Sequence, residues 1–273
     1  MRAPAPIKLI ATDLDGTLLR HDKTISVRTL EAIQSAHDAG IRVVVATGRY
    51  PGGLPTLLAP TGIDYAVASN GAMGVRLSTG EILFEDLLPP HTAVEITDYL
   101  ASALHGVRFE AVRDHGTVHY VEDGYAELVT EYERLHFPLN YRLVDRAELV
   151  GSPILKLAVR HPSASPDEML AVLTASGLNG FHATTSGAPF LEIEGPGVTK
   201  ASGVAQVCAR LGLEPHNVMA LGDARNDIEL LEWAGIGIAM GNAVAEALAV
   251  ADHTTSTNEE DGVAQAIELL LAA

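Results

Sequence analysis

The chain has 273 residues, 47% of them hydrophobic and 19% charged, which is the composition of a globular protein with one large or two moderate domains. Its 18 basic and 35 acidic residues give a formal net charge of −17, which argues against a nucleic-acid partner or an anionic membrane surface. The single cysteine, Cys208, excludes an intramolecular disulfide framework. Residues 1–6 lack the apolar core of a signal peptide and no apolar run has the length of a membrane helix, so we expect a cytoplasmic protein.

The first third of the chain alternates predicted strands with predicted helices. The apolar run Ile7–Asp13 predicts a buried strand, and Ser26 is the expected N-cap of a helix that stops at Gly40. The β-branched run Ile41–Ala46 and the shorter run Tyr65–Ala68 predict two further strands. Strands that are separated by helices favour parallel pairing with right-handed crossovers.

The pattern changes after Asn70, where short apolar runs flank turn residues. Two hairpins are predicted, with turns at Ser78–Gly80 and Asp114–Gly116. The other elements predicted here are helices at Ala93–Leu104, Ala126–Leu135 and Pro166–Ala175 and a strand at Ile154–Val159. Hairpins mixed with helices indicate an α+β module with an antiparallel sheet, which we place at residues 85–188.

The alternating pattern returns from Phe190 onward. It predicts helices at Thr199–Leu213, Asp227–Trp233, Ala243–Val250 and Gly262–Leu270 and strands at Val218–Leu221 and Ile236–Met240. The sequence therefore predicts a discontinuous α/β domain, residues 1–84 and 189–273, with the α+β module inserted into it.

An acidic pair follows the first predicted strand, in the segment Asp13-Leu14-Asp15-Gly16-Thr17. In open parallel sheets, ligands bind beyond the carboxyl ends of the strands. Alternation along the extended chain places the side chains of Asp13 and Asp15 on one side, where two carboxylates repel each other unless a cation or a shared proton relieves them. A hard divalent metal with oxygen ligands is the simplest relief. An ordinary Asp-Gly turn is the alternative, and it is disfavoured because three further segments fit the same site.

These three segments carry polar residues suited to a phosphate. Thr47-Gly48-Arg49 offers a hydroxyl and a backbone N–H at the end of a strand, although a plain turn explains it equally well. Asp223, Asn226 and Asp227 supply carboxylates and an amide, but Asp227 fits the N-cap of the following helix at least as well. Lys200 lies near the start of a helix, where a cation opposes the helix dipole, so we expect it to face an anion.

Together these residues resemble the four motifs of the haloacid dehalogenase (HAD) superfamily, in its Cof-type phosphatase subgroup. The matching segments are Asp13-Leu14-Asp15-Gly16-Thr17, Thr47, Lys200 and Gly222-Asp223 with Asn226-Asp227, supported by Ala68–Ala72 and Leu191–Ile193. Ala201 stands where the third motif usually has glycine, which leaves the charge of the lysine in place. The resemblance implies an α/β fold, with a Rossmann-like parallel-sheet core and an inserted α+β cap domain.

The resemblance also implies a role for each site residue. Asp13 would be the nucleophile that forms an aspartyl-phosphate, Asp15 the general acid and base, and Lys200 the third catalytic residue. Mg²⁺ would be held by the Asp13 carboxylate, the Asp15 backbone carbonyl and the Asp223 carboxylate. Asp227 would act in the second layer, on the metal waters or on Lys200. The implied phosphate-binding groups are the backbone N–H groups of Leu14 and Gly48 and the side chains of Thr47, Lys200 and Asn226.

The activity implied is Mg²⁺-dependent hydrolysis of a small phosphorylated metabolite, such as a sugar phosphate or a similar monoester. A phosphomutase or phosphotransferase at the same site is the first alternative, since eukaryotic-type phosphomannomutases resemble this chain in the first motif and in the kind of cap. A non-enzymatic phosphometabolite-binding protein is the second, and it is disfavoured because Asp13, Asp15, Lys200 and Asp223 are all present.

Conspicuous residues outside these motifs are given structural roles. Cys208 lies in a helical pattern and is predicted to be a small buried residue, and Trp233 is assigned to the core. His115 and His119 lie at a predicted hairpin turn and are interpreted as solvated residues rather than substrate contacts.

Overall fold

The computed structural model of the chain describes residues 6–136 and 141–272; residues 1–5, most of the segment without a signal-peptide pattern, lie outside this range. The chain divides into two compact units, Met1–Phe84 with Thr199–Ala273, and Glu85–Val198. The second unit begins at the predicted position, but the chain returns to the first unit at residue 199 rather than at residue 189. The reason is the strand Leu191–Glu194, which pairs with Lys156–Arg160 and His182–Thr184 inside the second unit.

The strands follow the predicted alternation, with additions that the sequence pattern missed. In chain order the described strands are β1 Leu9–Thr12, β2 Arg42–Ala46, β3 Tyr65–Ala68, β4 Met73–Arg76, β5 Glu81–Glu85, β6 Arg108–Arg113, β7 Val118–Val121, β8 Tyr141–Leu143, β9 Lys156–Arg160, β10 His182–Thr184, β11 Leu191–Glu194, β12 Val218–Gly222, β13 Ile236–Ala239 and β14 His253–Thr254. Strands β8, β10, β11 and β14 were not predicted.

The helices are mostly those that the apolar spacing predicts. In chain order the described helices are α1 Val27–Asp38, α2 Leu54–Leu58, α3 Pro90–Ala103, α4 Glu131–His136, α5 Arg146–Val150, α6 Pro166–Ala175, α7 Lys200–Leu211, α8 Ile228–Trp233, α9 Ala245–Val250 and α10 Gly262–Ala272. Ser26 caps α1 as predicted, with its side chain accepting a hydrogen bond from the Thr29 backbone N–H. The predicted helix Ala126–Leu135 is instead a 3-10 turn, Ala126–Leu128, followed by α4, because Val129 is extended.

The sheet of the first unit has the strand order β14-β13-β12-β1-β2-β3-β4-β5 among the described residues. The strands from β14 to β3 pair in parallel, and β4 is antiparallel to β3. All four residues of β1 are fully buried, as expected for a central strand covered on both faces. Cys208 is buried in the apolar cluster of this unit, as predicted, and burial raises the pKa of its thiol to about 11.

The sheet of the second unit has the order β10-β11-β9-β6-β7-β8 in the part of the chain that is described. Its pairs are antiparallel, as predicted for an α+β module, except for β7 and β8, which are parallel. Alternate residues of β6, β9 and β11, such as Phe109, Val159 and Ile193, pack in one apolar cluster with residues of α3 and α6.

The interpretation of His119 as a solvated residue is wrong. Its ring is buried, with Nδ1 2.5 Å from Glu110 Oε1, and the Tyr125 hydroxyl donates to the other oxygen of Glu110. Arg160 Nε in turn donates to the Tyr125 hydroxyl over 3.1 Å. His115, by contrast, is exposed, with Nδ1 2.7 Å from Glu85 Oε2. His119 lies in β7 on the face of the sheet that carries Glu110, opposite the apolar cluster that contains Tyr120, and its polar neighbours on that face bury it. His115 lies in the turn before β7.

Within the described residues, no helix combines the length and apolar character needed to cross a membrane.

Candidate active site

Three polar residues follow neighbouring parallel strands at one edge of the first sheet. Asp13 follows β1, Thr47 follows β2 and Asp223 follows β12. The register pairs Thr12 with both Val45 and Leu221, and the Asp13 backbone N–H donates to the Leu221 carbonyl over 3.0 Å. Parallel pairing in this register brings the carboxyl ends of the strands together, which is where open α/β sheets bind ligands.

A buried lysine joins two of the acidic residues. Lys200 is the first residue of α7, and its Nζ lies 2.6 Å from Asp13 Oδ1 and 2.6 Å from Asp227 Oδ1. Thr199 precedes it as the N-cap, and the Thr199 hydroxyl accepts a hydrogen bond from the Ser202 backbone N–H. The cation at this helix start therefore faces carboxylates, which offset its unfavourable position in the helix dipole.

Asp227 shapes the loop after β12 rather than capping the next helix. Its Oδ2 accepts hydrogen bonds from the backbone N–H groups of Asp223 and Ala224, each over 3.0 Å. Although Asp227 precedes α8, its side chain makes no capping bond there, so the N-cap alternative is wrong. A side chain at Gly222 would press on Asp227, with its Cβ 2.5 Å from the Asp227 Cβ. Glycine thus allows the loop to fold over the carboxylate.

Asp223 is held against the loop that follows β1. Its Oδ1 accepts a hydrogen bond from the Thr17 hydroxyl over 2.7 Å. Gly16 adopts φ +85°, and a Cβ at this position would collide with the Asp223 carboxylate. The Gly16 carbonyl in turn accepts from Asn242 Nδ2 over 2.8 Å. The glycine of the first motif is therefore needed for both its backbone conformation and this close approach.

The negative charge of three neighbouring carboxylates exceeds the positive charge of the lysine beside them. One ligand oxygen each from Asp13, Asp223 and Asp227 lies within 4.8 Å of the others. Burial raises the pKa of Asp13 well above its usual range, the charge of Lys200 opposes this, and Asp227 and Asp223 raise the pKa further. Burial and the Asp227 charge raise the pKa of Asp223 to about 6. Burial alone would lower the pKa of Lys200, but Asp13 and Asp227 outweigh it and raise that pKa.

Asp15 lies in a different electrostatic environment from Asp13. Arg49 grips its carboxylate with two hydrogen bonds, Nε to Oδ2 over 2.6 Å and an Nη to Oδ1 over 2.7 Å. Lys23 Nζ also donates to Oδ1, over 2.8 Å. Burial alone would raise the pKa of Asp15, but the hydrogen bonds and charges of Arg49 and Lys23 hold it below its usual value. In the sequence, Arg49 was interpreted only as part of a turn. Neither Arg49 nor Lys23 was predicted to be a partner of Asp15.

The remaining predicted residues surround the same edge. Thr47 is buried, and its hydroxyl accepts from the Arg49 backbone N–H over 3.1 Å. The Leu14 carbonyl accepts from the backbone N–H groups of Thr17 and Leu19, which closes the loop after Asp13. Gly48 lies between Thr47 and Arg49 in the loop after β2. Asn226 is buried, and its Nδ2 donates to Asn70 Oδ1 over 2.9 Å.

Asn70 contacts two of the predicted site residues, although the sequence analysis gave it no role of its own. It has φ +54° in the loop after β3, and its backbone N–H donates to the Thr47 carbonyl over 3.0 Å. With its side chain it also holds Asn226, so it links the loops after β2 and β12. The signal was present in the segment Ala68–Ala72, since asparagine tolerates positive φ better than most residues.

Comparison with known proteins identifies the class to which this fold and site belong. Residues 10–267 match the model of the haloacid dehalogenase-like hydrolases, and the chain belongs to that family. It is an enzyme, a phosphatase of the HAD type, and the predicted α/β fold with an inserted cap domain is confirmed.

Two relatives and one solved structure illustrate the likeness. The 5-amino-6-(5-phospho-D-ribitylamino)uracil phosphatase YcsE of Bacillus subtilis is 32% identical, over 97% of this chain and 96% of its own length. The pyridoxal phosphate phosphatase YbhA of Escherichia coli is 28% identical, over 95% of this chain and 97% of its own. The structure of BT1666 from Bacteroides thetaiotaomicron, a HAD-superfamily phosphatase, is 26% identical, with a TM-score of 0.83 over 98% of this chain and 96% of its own.

Proposed function

We propose that this phosphatase is Mg²⁺-dependent and hydrolyses a small phosphorylated metabolite, a sugar phosphate or a similar monoester, through an aspartyl-phosphate on Asp13. The observation that carries the proposal is the position of Asp13, at the edge of the sheet and bonded to a buried lysine. The two relatives described above are named for small phosphorylated substrates with different leaving groups. They support the substrate class and leave the particular metabolite to experiment.

Asp13 is the nucleophile in this proposal. Its carboxylate attacks phosphorus, the bond to the leaving oxygen breaks, and the electron pair stays on that oxygen. Lys200 holds one carboxylate oxygen in place and stabilises the ionised form, which the buried setting otherwise disfavours. Water then attacks the aspartyl-phosphate, which restores the Asp13 carboxylate and releases phosphate.

Asp15 moves the proton in both half-reactions. In the first it gives a proton to the leaving oxygen, and in the second it takes one from the attacking water. Such proton transfer is worth about 10²–10⁴-fold in rate. Asp15 stands two residues after Asp13, on the loop that the Leu14 carbonyl closes, so both residues serve the same small volume.

The phosphoryl group is bound by donors from several loops. We assign this role to the backbone N–H groups of Leu14 and Gly48, the Thr47 hydroxyl, Lys200 and the Asn226 amide. Asn70 positions the Asn226 amide through its hydrogen bond. In phosphoryl transfer, positioning and charge compensation of this kind supply most of the catalysis.

The donor set fits a magnesium ion. Asp13 and Asp223 offer carboxylate oxygens, and three carboxylates share the single Lys200 cation, which leaves excess negative charge. The raised pKa values of Asp13 and Asp223 have this physical cause together with burial. Carboxylate and carbonyl oxygens suit Mg²⁺. We assign the Asp13 carboxylate, the Asp15 carbonyl and the Asp223 carboxylate as its ligands; when bound, the ion neutralises charge between the anionic nucleophile and the anionic phosphate.

Asp227 supports the ligands instead of joining them. Both of its oxygens already accept hydrogen bonds, one from Lys200 and the other from two backbone N–H groups. It therefore orients Lys200 and the Asp223 backbone, a role close to the one implied by the resemblance.

The two alternative functions differ in support. Family membership and phosphatase relatives count against a non-enzymatic binding protein. A phosphomutase at the same site must protect its aspartyl-phosphate from water, and the names of the relatives favour hydrolysis instead.

The proposal is tested by phosphate release from a panel of monoesters, including sugar phosphates, nucleotides, pyridoxal phosphate and ribityl phosphates, with MgCl₂ or with EDTA. We expect release that requires Mg²⁺ and is abolished by Asp13→Asn, whose circular dichroism spectrum stays that of the wild type. The proposal would be overturned if no substrate of the panel released phosphate. Isomer interconversion without net phosphate release would replace it with the mutase.

A further inference from the structure

The Asp15 carboxylate is held by a planar cationic fork. Arg49 Nε reaches Oδ2 over 2.6 Å and an Nη reaches Oδ1 over 2.7 Å, so each oxygen accepts a separate bond from one rigid group. A bidentate arginine–carboxylate pair fixes orientation as well as distance. The Asp15 side chain is partly buried, 37% exposed, and both of its carboxylate oxygens have cationic partners. Arg49 thus sets the direction in which this carboxylate points.

The fork is itself anchored to the loop after β2. The Arg49 backbone N–H donates to the Thr47 hydroxyl over 3.1 Å, and the Arg49 carbonyl accepts from the Ser69 backbone N–H over 2.9 Å. Its side chain is 20% exposed, less than that of Asp15. One loop therefore carries Thr47 at its start and the support of Asp15 two residues later.

Lys23 cannot replace this support. It contacts one oxygen, over 2.8 Å, from a tight turn that the Arg20 backbone N–H closes on the Thr24 carbonyl. A lysine ammonium is a point charge on a flexible stem and does not restrict rotation of a carboxylate as a guanidinium does.

We propose that Arg49 is a positioning residue, which orients Asp15 for proton transfer to the leaving oxygen. The inference rests on the proposed function. When the bond from phosphorus to the leaving oxygen breaks, the electron pair stays on that oxygen and the Asp15 proton goes to it. Both Asp15 oxygens accept from Arg49 in the structure, so Asp15 carries this proton only after the cation at one oxygen gives up its bond. The other oxygen then keeps its bond to Arg49, so the side chain does not rotate away. Water later returns a proton to Asp15 as the aspartyl-phosphate is hydrolysed.

A positioning role makes the effect of Arg49 depend on the leaving group. An alkoxide leaves poorly without a proton, whereas 4-nitrophenolate leaves well without one, so only the alkyl ester needs a well-placed acid. A phosphate-binding role would affect both esters alike and would raise KM. If the ion pair had only a structural role, its loss would change only the amount of folded enzyme. The apparent kcat would then fall by the same factor for both esters, and KM would stay unchanged.

The test compares kcat and KM for a sugar phosphate and for 4-nitrophenyl phosphate in wild type, Arg49→Ala, Arg49→Lys and Asp15→Asn. Arg76→Ala is the matched control, since Arg76 pairs with Asp64 through Nε over 2.8 Å elsewhere in the same unit. We expect Arg49→Ala to lower kcat about 10- to 100-fold for the sugar phosphate and less than about 5-fold for the aryl ester, with KM nearly unchanged. Arg49→Lys keeps the charge but not the two-point contact, so its loss should be close to that of Arg49→Ala, and Arg76→Ala should match the wild type.

A double mutant completes the test. If Arg49 acts through Asp15, Arg49→Ala should have no further effect on the residual activity of Asp15→Asn. Equal losses for the two esters, a rise in KM for both, or full additivity in the double mutant would overturn the inference. These results differ from failure of the proposed function itself, in which the wild type releases phosphate from neither ester.

Discussion

Lys200 and Asp227 form an ion pair with Nζ 2.6 Å from Oδ1, and neither side chain is more than 1% exposed. The same Nζ lies 2.6 Å from Asp13, so one buried cation serves two carboxylates. Removing one partner of a buried ion pair is strongly destabilising, because the remaining charge stays buried without compensation. Lys200 therefore matters for both the stability of the first unit and the nucleophile.

Replacing Lys200 by methionine should show both effects. We expect Lys200→Met to lower kcat by about 100-fold or more and to lower the free energy of unfolding at pH 7 by about 3 kcal/mol, because the buried carboxylates lose their cation. At pH 5 the loss of stability should be smaller, since burial raises the pKa of Asp13 and protonation of this carboxyl removes the charge that lost its cation. Urea unfolding and steady-state kinetics measure these changes. Lys8→Met, at an exposed lysine, is the control and should leave both unchanged; equal stability of Lys200→Met and wild type would contradict the ion-pair argument.

Gly16→Ala should damage the site beyond its effect on the backbone. Both Gly16 and Gly80 have positive φ, +85° and +72°, but a Cβ at Gly16 would collide with Asp223, whereas one at Gly80 would meet open space. We expect either substitution to destabilise the protein by about 1–2 kcal/mol through φ strain. Gly16→Ala should in addition lower kcat/KM at least about 10-fold and raise the Mg²⁺ concentration needed for half-maximal activity. If the two variants were equally active, the close approach to Asp223 would be irrelevant to catalysis.

The contribution of Asp223 to the stability of the metal-free protein should fall as the pH rises through the titration of this group. The folded state raises the pKa of Asp223 to about 6, from an ordinary Asp value of 3.8. The folded protein therefore holds a proton that the unfolded chain has released, and stability contributed by this group decreases between pH 4 and pH 6. Tm measured in EDTA over this range should fall less steeply in Asp223→Asn than in wild type. Saturating Mg²⁺ should flatten the wild-type curve as well, and an unchanged slope in the variant would refute the assignment.

Tyr125→Phe should test the buried network of the second unit. The hydroxyl donates to Glu110 and accepts from Arg160 Nε over 3.1 Å, and burial raises the pKa of Tyr125 well above its usual range. Losing it leaves two buried polar groups short of a partner, so we expect a loss of about 1–3 kcal/mol in the free energy of unfolding. Tyr99→Phe is the control, because that ring packs against the apolar cluster of the same unit. Denaturant unfolding of both variants decides the matter, and equal stabilities would show that the network contributes little.

The sequence predicted the elements around the site well where the signal was local. Tyr65–Ala68 and Pro166–Ala175 have the predicted bounds, and Ser26 caps α1. Apolar periodicity and capping residues report on a few consecutive residues, which is why they succeed here. The strand Leu191–Glu194 was missed although Leu191 and Ile193 alternate with two glutamates as in a strand, because the segment was interpreted only as part of the motif resemblance. Its pairing decided where the chain returns to the first unit.

By itself, the sequence determined that Asp13, Thr47 and Asp223 follow strands of one parallel sheet, since apolar runs and their polar ends are visible along the chain. It also carried the motif resemblance from which the roles of Asp13, Asp15 and Lys200 are proposed. Only the tertiary structure decided which charges meet. Arg49 is 34 residues from Asp15, and Lys200 is 187 residues from Asp13, and no local pattern states which cation reaches which carboxylate. Contacts at such separations arise from the packing of whole elements, and they distinguish the Asp15 carboxylate gripped by arginine from the Asp13 carboxylate buried beside lysine.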